Sequence, residues 1–152
     1  MIYYFEFELL KKRFEFLEHT ADAYIAAYGK SLAQAFENAA LAMFETMTDT
    51  KGVREIEENS LEVVAKDEQD ILFSWLEALL LKFEVEGMLY SRFKVNSIEK
   101  SPEGYVLRAR MWGEPFNRER HKSKKGVKAV TYHRMEIMKD GSEVSVKFIL
   151  DI

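Results

Sequence analysis

The chain has 152 residues, which suits one domain, and a formal net charge of −4, which argues against a general nucleic-acid binder with its basic footprint. It contains no cysteine, which excludes disulfides, thiolate nucleophiles and cysteine-based zinc or iron–sulfur centres and suits a reducing cytoplasm. Apolar content of 47% and charged content of 32% describe a soluble globular protein with a core that needs no covalent staple. No run of about 18 apolar residues exists to span a membrane. The apolar start Met1–Phe5 is interrupted by Glu6 and Glu8 and followed by Lys11-Lys12-Arg13, so it lacks the layout of a signal peptide. These features predict a cytoplasmic protein with no membrane partner.

Residues 1–13 have no clear period and read as an N-terminal arm or an extra strand; residues 14–152 read as a single domain. Phe14–Leu17 and Ala23–Tyr28 are predicted strands, separated by a polar turn. Ser31-Leu32-Ala33-Gln34 is a capping box. It opens a helix that carries Leu32, Phe36, Ala39, Met43 and Met47 on one face. This helix is expected to stop at Asp49–Gly52, with Gly52 as a left-handed cap. Ser60–Lys66 alternates as a strand. Asp67 or Asp70 then caps a second helix with the stripe Leu72, Trp75, Leu76, Leu79 and Phe83. Ile71 and Leu80 widen that stripe, so this helix is expected to be the more deeply buried one or to pack on the first. Gly87 ends it.

The remainder reads as four strands, Tyr90–Glu99, Tyr105–Trp112, Val127–Met138 and Val144–Leu150. Turns at Ser101-Pro102-Glu103-Gly104 and Lys139-Asp140-Gly141-Ser142 join two pairs of them. The order predicts an α+β domain, a mostly antiparallel sheet with two main helices packed on one face.

Three stretches carry candidate chemistry. Glu18-His19-Thr20-Ala21-Asp22 places two carboxylates, an imidazole and a hydroxyl within five residues. It is either a polar turn or half of an acidic site. The other half would be Asp151 and the terminal carboxylate of Ile152, if the last strand lies beside an early one. Such oxygen ligands repel one another without a cation and suit a hard ion, Ca²⁺ or Mg²⁺. His19 is a ligand, a group that orients one, or a turn-capping residue; a nitrogen ligand fits Ca²⁺ poorly, which favours the last two. The loop Glu114–Gly126 sets Arg118, Arg120, Lys122, Lys124 and Lys125 against Glu114 and Glu119. It is a solvated loop or a contact for phosphate or an acidic partner, with Arg120 and Lys122 as contact candidates. A metal-dependent phosphoester hydrolase built on His19, Asp22 and Asp151 is the enzyme alternative; no P-loop, GxGxxG or GxSxG is present.

Several segments together resemble the archease family. They are Phe16-Leu17-Glu18-His19-Thr20-Ala21-Asp22, the helix through Ala42-Met43-Phe44, Met47-Thr48-Asp49, Leu72–Phe83 and Trp112-Gly113-Glu114-Pro115-Phe116. Val127-Lys128-Ala129-Val130-Thr131-Tyr132 and the terminal Asp151-Ile152 complete the set. The likeness runs from about residue 14 to the end. It implies an SHS2-type domain and an accessory protein of tRNA splicing that is not itself an enzyme. The implied partner is the GTP-dependent tRNA-splicing RNA ligase, with RNA reached indirectly or through the ligase complex. The implied action is to promote guanylylation and multiple turnover of that ligase and to broaden its nucleotide use. The family metal site maps onto Asp22, Asp151 and Ile152, with calcium, or else magnesium or manganese, as the ion. A lysine used by the family maps onto Lys128. The sequence departs from the family pattern in its longer arm and in the more basic run Lys122–Lys125.

Overall fold

The computed structural model describes residues 12–18 and 22–152. The elements are β1 (Phe14–Leu17), β2 (Ala23–Gly29), α1 (Leu32–Met47), β3 (Glu57–Ala65), α2 (Glu68–Glu86), β4 (Met88–Ser101), β5 (Gly104–Pro115), β6 (Ala129–Val130), β7 (Glu136–Asp140) and β8 (Glu143–Asp151). The strands form two sheets. One runs β1-β2-β8-β6 with β7 also paired to β8, and the other runs β3-β5-β4. Their pairings are antiparallel. This is the α+β architecture with two main helices that the element order predicts, with the sheet divided in two.

Helix α1 sits at the centre. Ser31 Oγ accepts from the Gln34 N–H at 3.1 Å, and Gln34 Oε1 accepts from the Lys30 N–H at 2.6 Å. The capping box therefore closes one residue further back than the usual arrangement. Past its first turn the helix is buried nearly all round, with small residues Ala35, Ala39, Ala40 and Ala42 among the larger Phe36, Met43 and Phe44. The small side chains let β2 and β8 approach one flank while β4 covers another. The helix predicted to be shallower is thus the deeper one, because its alanines count as apolar on every face. Helix α2 does pack on it, and Trp75 Nε1–H donates to the Phe36 carbonyl at 3.0 Å.

Two expectations about backbone conformation are corrected. Gly52 is not a left-handed cap: α1 stops at Met47, Thr48 is extended (φ −153°, ψ 175°), and Gly52 lies in a short 3₁₀ turn over Thr50–Gly52. Gly87 does take that role for α2, at φ 71°. The predicted strand Val127–Met138 is two strands, β6 and β7. A turn breaks it where Met135 N–H donates to the Tyr132 carbonyl and Arg134 adopts φ 56°. Val127 and Ala129 before the break share their alternating parity with Met135 and Ile137 after it, so periodicity alone reads through it.

Strand β8 lies in the middle of the larger sheet. It pairs along its length with β2, from Gly29↔Val144 to Ala23↔Leu150. Ile25, Ala27, Val146, Phe148 and Leu150 face the core. The other edge of β8 takes β7 near its start and β6 at its end.

Candidate functional site

The register of β2 with β8 ends at Ala23↔Leu150. The next residues along the two strands are Asp22 and Asp151. The same strand end receives β6, where Ala129 pairs with Asp151 and Lys128 N–H donates to the Asp151 carbonyl at 2.7 Å. Two carboxyl-bearing residues and Lys128 therefore meet at one end of one sheet, and the lysine and Asp151 are exposed. Alternation along β8 puts Asp151 on the face opposite Leu150. Ile152 packs half-buried against the core. His19 lies outside the described residues. Among the described residues, no group of three His, Cys, Asp or Glu side chains is placed to hold a metal. Asp22, Asp151 and a carboxylate at Ile152 are the hard oxygen donors at this end of the sheet that could hold Ca²⁺, Mg²⁺ or Mn²⁺.

Asp22 and Ile152 line a cleft of about 510 Å³. Phe16, Leu17 and Tyr24 supply apolar wall, and Glu45, Thr46, Lys124 and Lys125 also line it. Lys124 and Lys125 form a strap over the end of α1. Lys124 N–H donates to the Met47 carbonyl at 2.9 Å and Lys125 N–H to the Thr46 carbonyl at 3.2 Å. Lys124 Nζ also binds Glu45 Oε2 at 2.5 Å and the Glu45 carbonyl at 3.1 Å. The other Glu45 oxygen accepts from the Thr50 hydroxyl at 2.6 Å. Burial raises the pKa of Glu45, but the bonds from Lys124 and Thr50 outweigh it and leave the carboxyl below its usual value. Acidic strand ends and basic loop thus share one cleft.

The basic loop is rooted on Glu114. Its side chain is 5% exposed and accepts from the Arg54 N–H at 2.7 Å, from Arg54 Nε at 3.3 Å and from Arg120. His121 Nε2 lies 2.9 Å from the same carboxylate, while His121 Nδ1 accepts from the Asn117 N–H at 2.8 Å. With Nδ1 accepting, the ring carries its proton on Nε2 and donates it to Glu114. Burial raises the Glu114 pKa most, yet the donors together bring it down to about 2. The two contact candidates in this loop therefore differ. Arg120 is spent on an internal ion pair, and Lys122 is exposed.

Glu45 and the strap role of Lys124 were not singled out by sequence reasoning. Glu45 falls beside the α1 stripe, and its lysine partner is 79 positions away. Glu114 counts as one more loop charge in the sequence, though it is the buried hub. A carboxylate next to Trp112-Gly113, at the end of a strand, was the available signal.

Comparison with known proteins decides the family. The model of the Archease protein family (MTH1598/TM1083) matches residues 14–152. The chain belongs to the archease family. Protein archease of Sulfurisphaera tokodaii is 43% identical over 141 residues, covering 93% of this chain and 99% of that one. Protein archease of Methanothermobacter thermautotrophicus is 43% identical over 141 residues with the same coverage. The solution structure of a Methanobacterium thermoautotrophicum protein superposes with a TM-score of 0.81 at 43% identity, covering 91% of this archease and 98% of that chain. A Thermotoga maritima crystal structure, described as an archease and possible chaperone, has a TM-score of 0.57 at 21% identity and shares the fold. It covers 91% of this chain and 96% of that one.

Proposed function

We propose that this archease activates a GTP-dependent tRNA-splicing RNA ligase, promoting its guanylylation and repeated turnover and broadening its use of nucleotides. The supporting observation is the shared cleft, which Asp22 and Ile152 line together with Lys124 and Lys125. Asp22, Asp151 and the terminal carboxylate would hold a divalent cation, calcium first among the candidates. Such an ion, when bound, neutralises the clustered carboxylates and attracts phosphate oxygens. The chain's own part is electrostatic. Exposed Lys128, held beside Asp151 by its backbone bond, and Lys125 on the strap offer fixed positive charge to a triphosphate or to an acidic rim of the ligase. Lys122 adds to the same field, and Arg120 acts by fixing the loop root. The likeness to a protein described as a possible chaperone fits the same general picture, action on a partner protein.

The test is ligase guanylylation followed over many turnovers, with wild-type protein and with Asp22→Ala and Asp151→Ala. The expected result is loss of most stimulation, on the order of tenfold or more, with the circular dichroism spectrum unchanged. Stimulation at the wild-type level by both folded variants would overturn the reading. A stand-alone phosphoester hydrolase would instead show metal-dependent turnover with no ligase present.

A further inference from the structure

Strand β3 lies at the edge of the smaller sheet. Among the described residues its one strand partner is β5, with which it pairs without a register shift from Glu57↔Gly113 to Ala65↔Tyr105. Backbone N–H and C=O groups alternate between the two sides of a strand. The nine residues of β3 therefore leave a row of donors and acceptors along the outer edge. The other edges are interrupted or short. β4, at the opposite edge of the same sheet, has register shifts between Tyr90 and Arg92 and between Val95 and Ser97, and its Val95 N–H donates to Glu37 Oε2 at 2.9 Å. In the larger sheet, β1 has four residues, β6 two and β7 five.

The side chains of β3 sort by face. Leu61, Val63 and Ala65 are half-buried and pack against the core. The alternating row Ile56, Glu58, Ser60, Glu62 and Val64 is exposed. Its two ends are β-branched and apolar, Ile56 at 62% and Val64 at 65% exposure. Each carboxylate between them is bonded from β5. Trp112 Nε1–H donates to Glu58 at 3.0 Å and Arg108 Nε–H to Glu62 at 2.9 Å. A carboxylate accepts several donors, so both keep capacity for a strand on the free side. A second copy of β3 is a poor occupant. It would bring four of these carboxylates to one face of the junction, and like charges across a strand pair destabilise it.

We propose that β3 is a strand-addition site for an extended segment of a partner protein. That segment carries lysine or arginine at two outward positions four residues apart, with a β-branched apolar residue two positions beyond each. Backbone bonds to the outer edge supply affinity, and pairing of the two cations with Glu58 and Glu62 supplies specificity. The apolar ends of the segment cover Ile56 and Val64. No residue of β3 lines the cleft, so the inference goes beyond the ligase reading and does not draw on it.

The test uses the full chain, labelled with ¹⁵N, and the blocked peptide Val-Thr-Lys-Val-Ser-Val-Lys-Thr-Val. In the free chain, the β3 amides that point away from β5 should exchange rapidly with deuterium. The peptide should slow that exchange and shift the β3 resonances. Slow exchange before any peptide is added would mean that a second copy or the chain's own arm already covers the edge, and would overturn the proposal. A peptide with Glu for both Lys should bind about tenfold more weakly. Glu58→Lys/Glu62→Lys should reverse that preference; if this variant does not fold, Glu58→Gln/Glu62→Gln should abolish it. Two further peptides separate strand addition from simple charge attraction. One is N-methylated on its third, fifth and seventh residues, the other on its fourth and sixth. Only one set of these amides faces the edge, so one peptide should lose binding and the other keep it. An equal effect of the two methylations would overturn the proposal. So would equal binding of the Lys and Glu peptides, a preference unchanged in the folded variant, or no shifts up to about 10 mM peptide.

Discussion

Donors from three residues, Arg54, Arg120 and His121, converge on the Glu114 carboxylate. That convergence sets the acid behaviour of the loop root. Its folded-state pKa of about 2 lies below the ordinary 4.5. The stabilisation is therefore complete above about pH 4.5 and is lost as pH falls toward 2. Glu114→Gln should lower stability at pH 7 by about 2 kcal/mol, a fall in Tm of about 4–8 °C. Its thermal melts between pH 4.5 and 2 should also fall less steeply than those of the wild type. Matching melts across that range would show that the carboxylate contributes nothing as a charge. The sequence hid this residue because a glutamate in a charged loop looks solvated. Only tertiary packing reveals that Arg54, 60 positions away, reaches it. Asp22 and Asp151 were easier to read, since strand order alone can bring two chain ends together.

At the level of elements, turn and cap chemistry was readable where a single residue type carries it. Ser31, Asp67 and Gly87 take the roles their identities suggest. It failed at Gly52 and across Val127–Met138, where the neighbours rather than the local residues decide. Gly113 shows the same dependence on a neighbour. A Cβ there would lie 1.8 Å from the Leu89 carbonyl oxygen and 2.7 Å from Tyr90 Cα, beside the register shift between Tyr90 and Arg92. Backbone cannot yield as a side-chain tip does, so β4 and β5 would have to separate locally. Gly113→Ala should cost about 3 kcal/mol or more in a denaturant titration. Gly126→Ala, with open space around it, should stay within about 0.5 kcal/mol and serves as the control. Equal stability for the two variants would mean that the close approach is not maintained in solution.

For the whole molecule, the antiparallel α+β layout was legible from element order, and the division into two sheets was not. A string of predicted strands carries no record of which edges meet. The cleft was half legible: its acidic side follows from β2 and β8, and its basic side depends on how a loop without regular structure lies over α1. Calorimetry with Ca²⁺ tests the acidic side directly. The wild type should bind the ion, and Asp22→Ala should weaken binding by tenfold or more. A chain extended beyond Ile152 should do the same, because extension displaces the terminal carboxylate while leaving Asp151 in place. Equally tight binding by the extended chain would argue against Ile152 as a ligand.

The central place of β8 also bears on the timing of folding during synthesis. Domains tend to assemble from their N-terminal parts as the chain emerges from the ribosome. The smaller sheet, β3-β5-β4, comes from one continuous stretch and can close early. The larger sheet cannot, because its middle strand is made after every other strand in the fold. Until β8 is released, β2 has an unpaired edge and α1 lacks one wall of its packing. A nascent archease therefore carries a half-built sheet until β8 has been made. The cleft lined by Asp22 and Ile152 comes into being only once β8 has paired with β2.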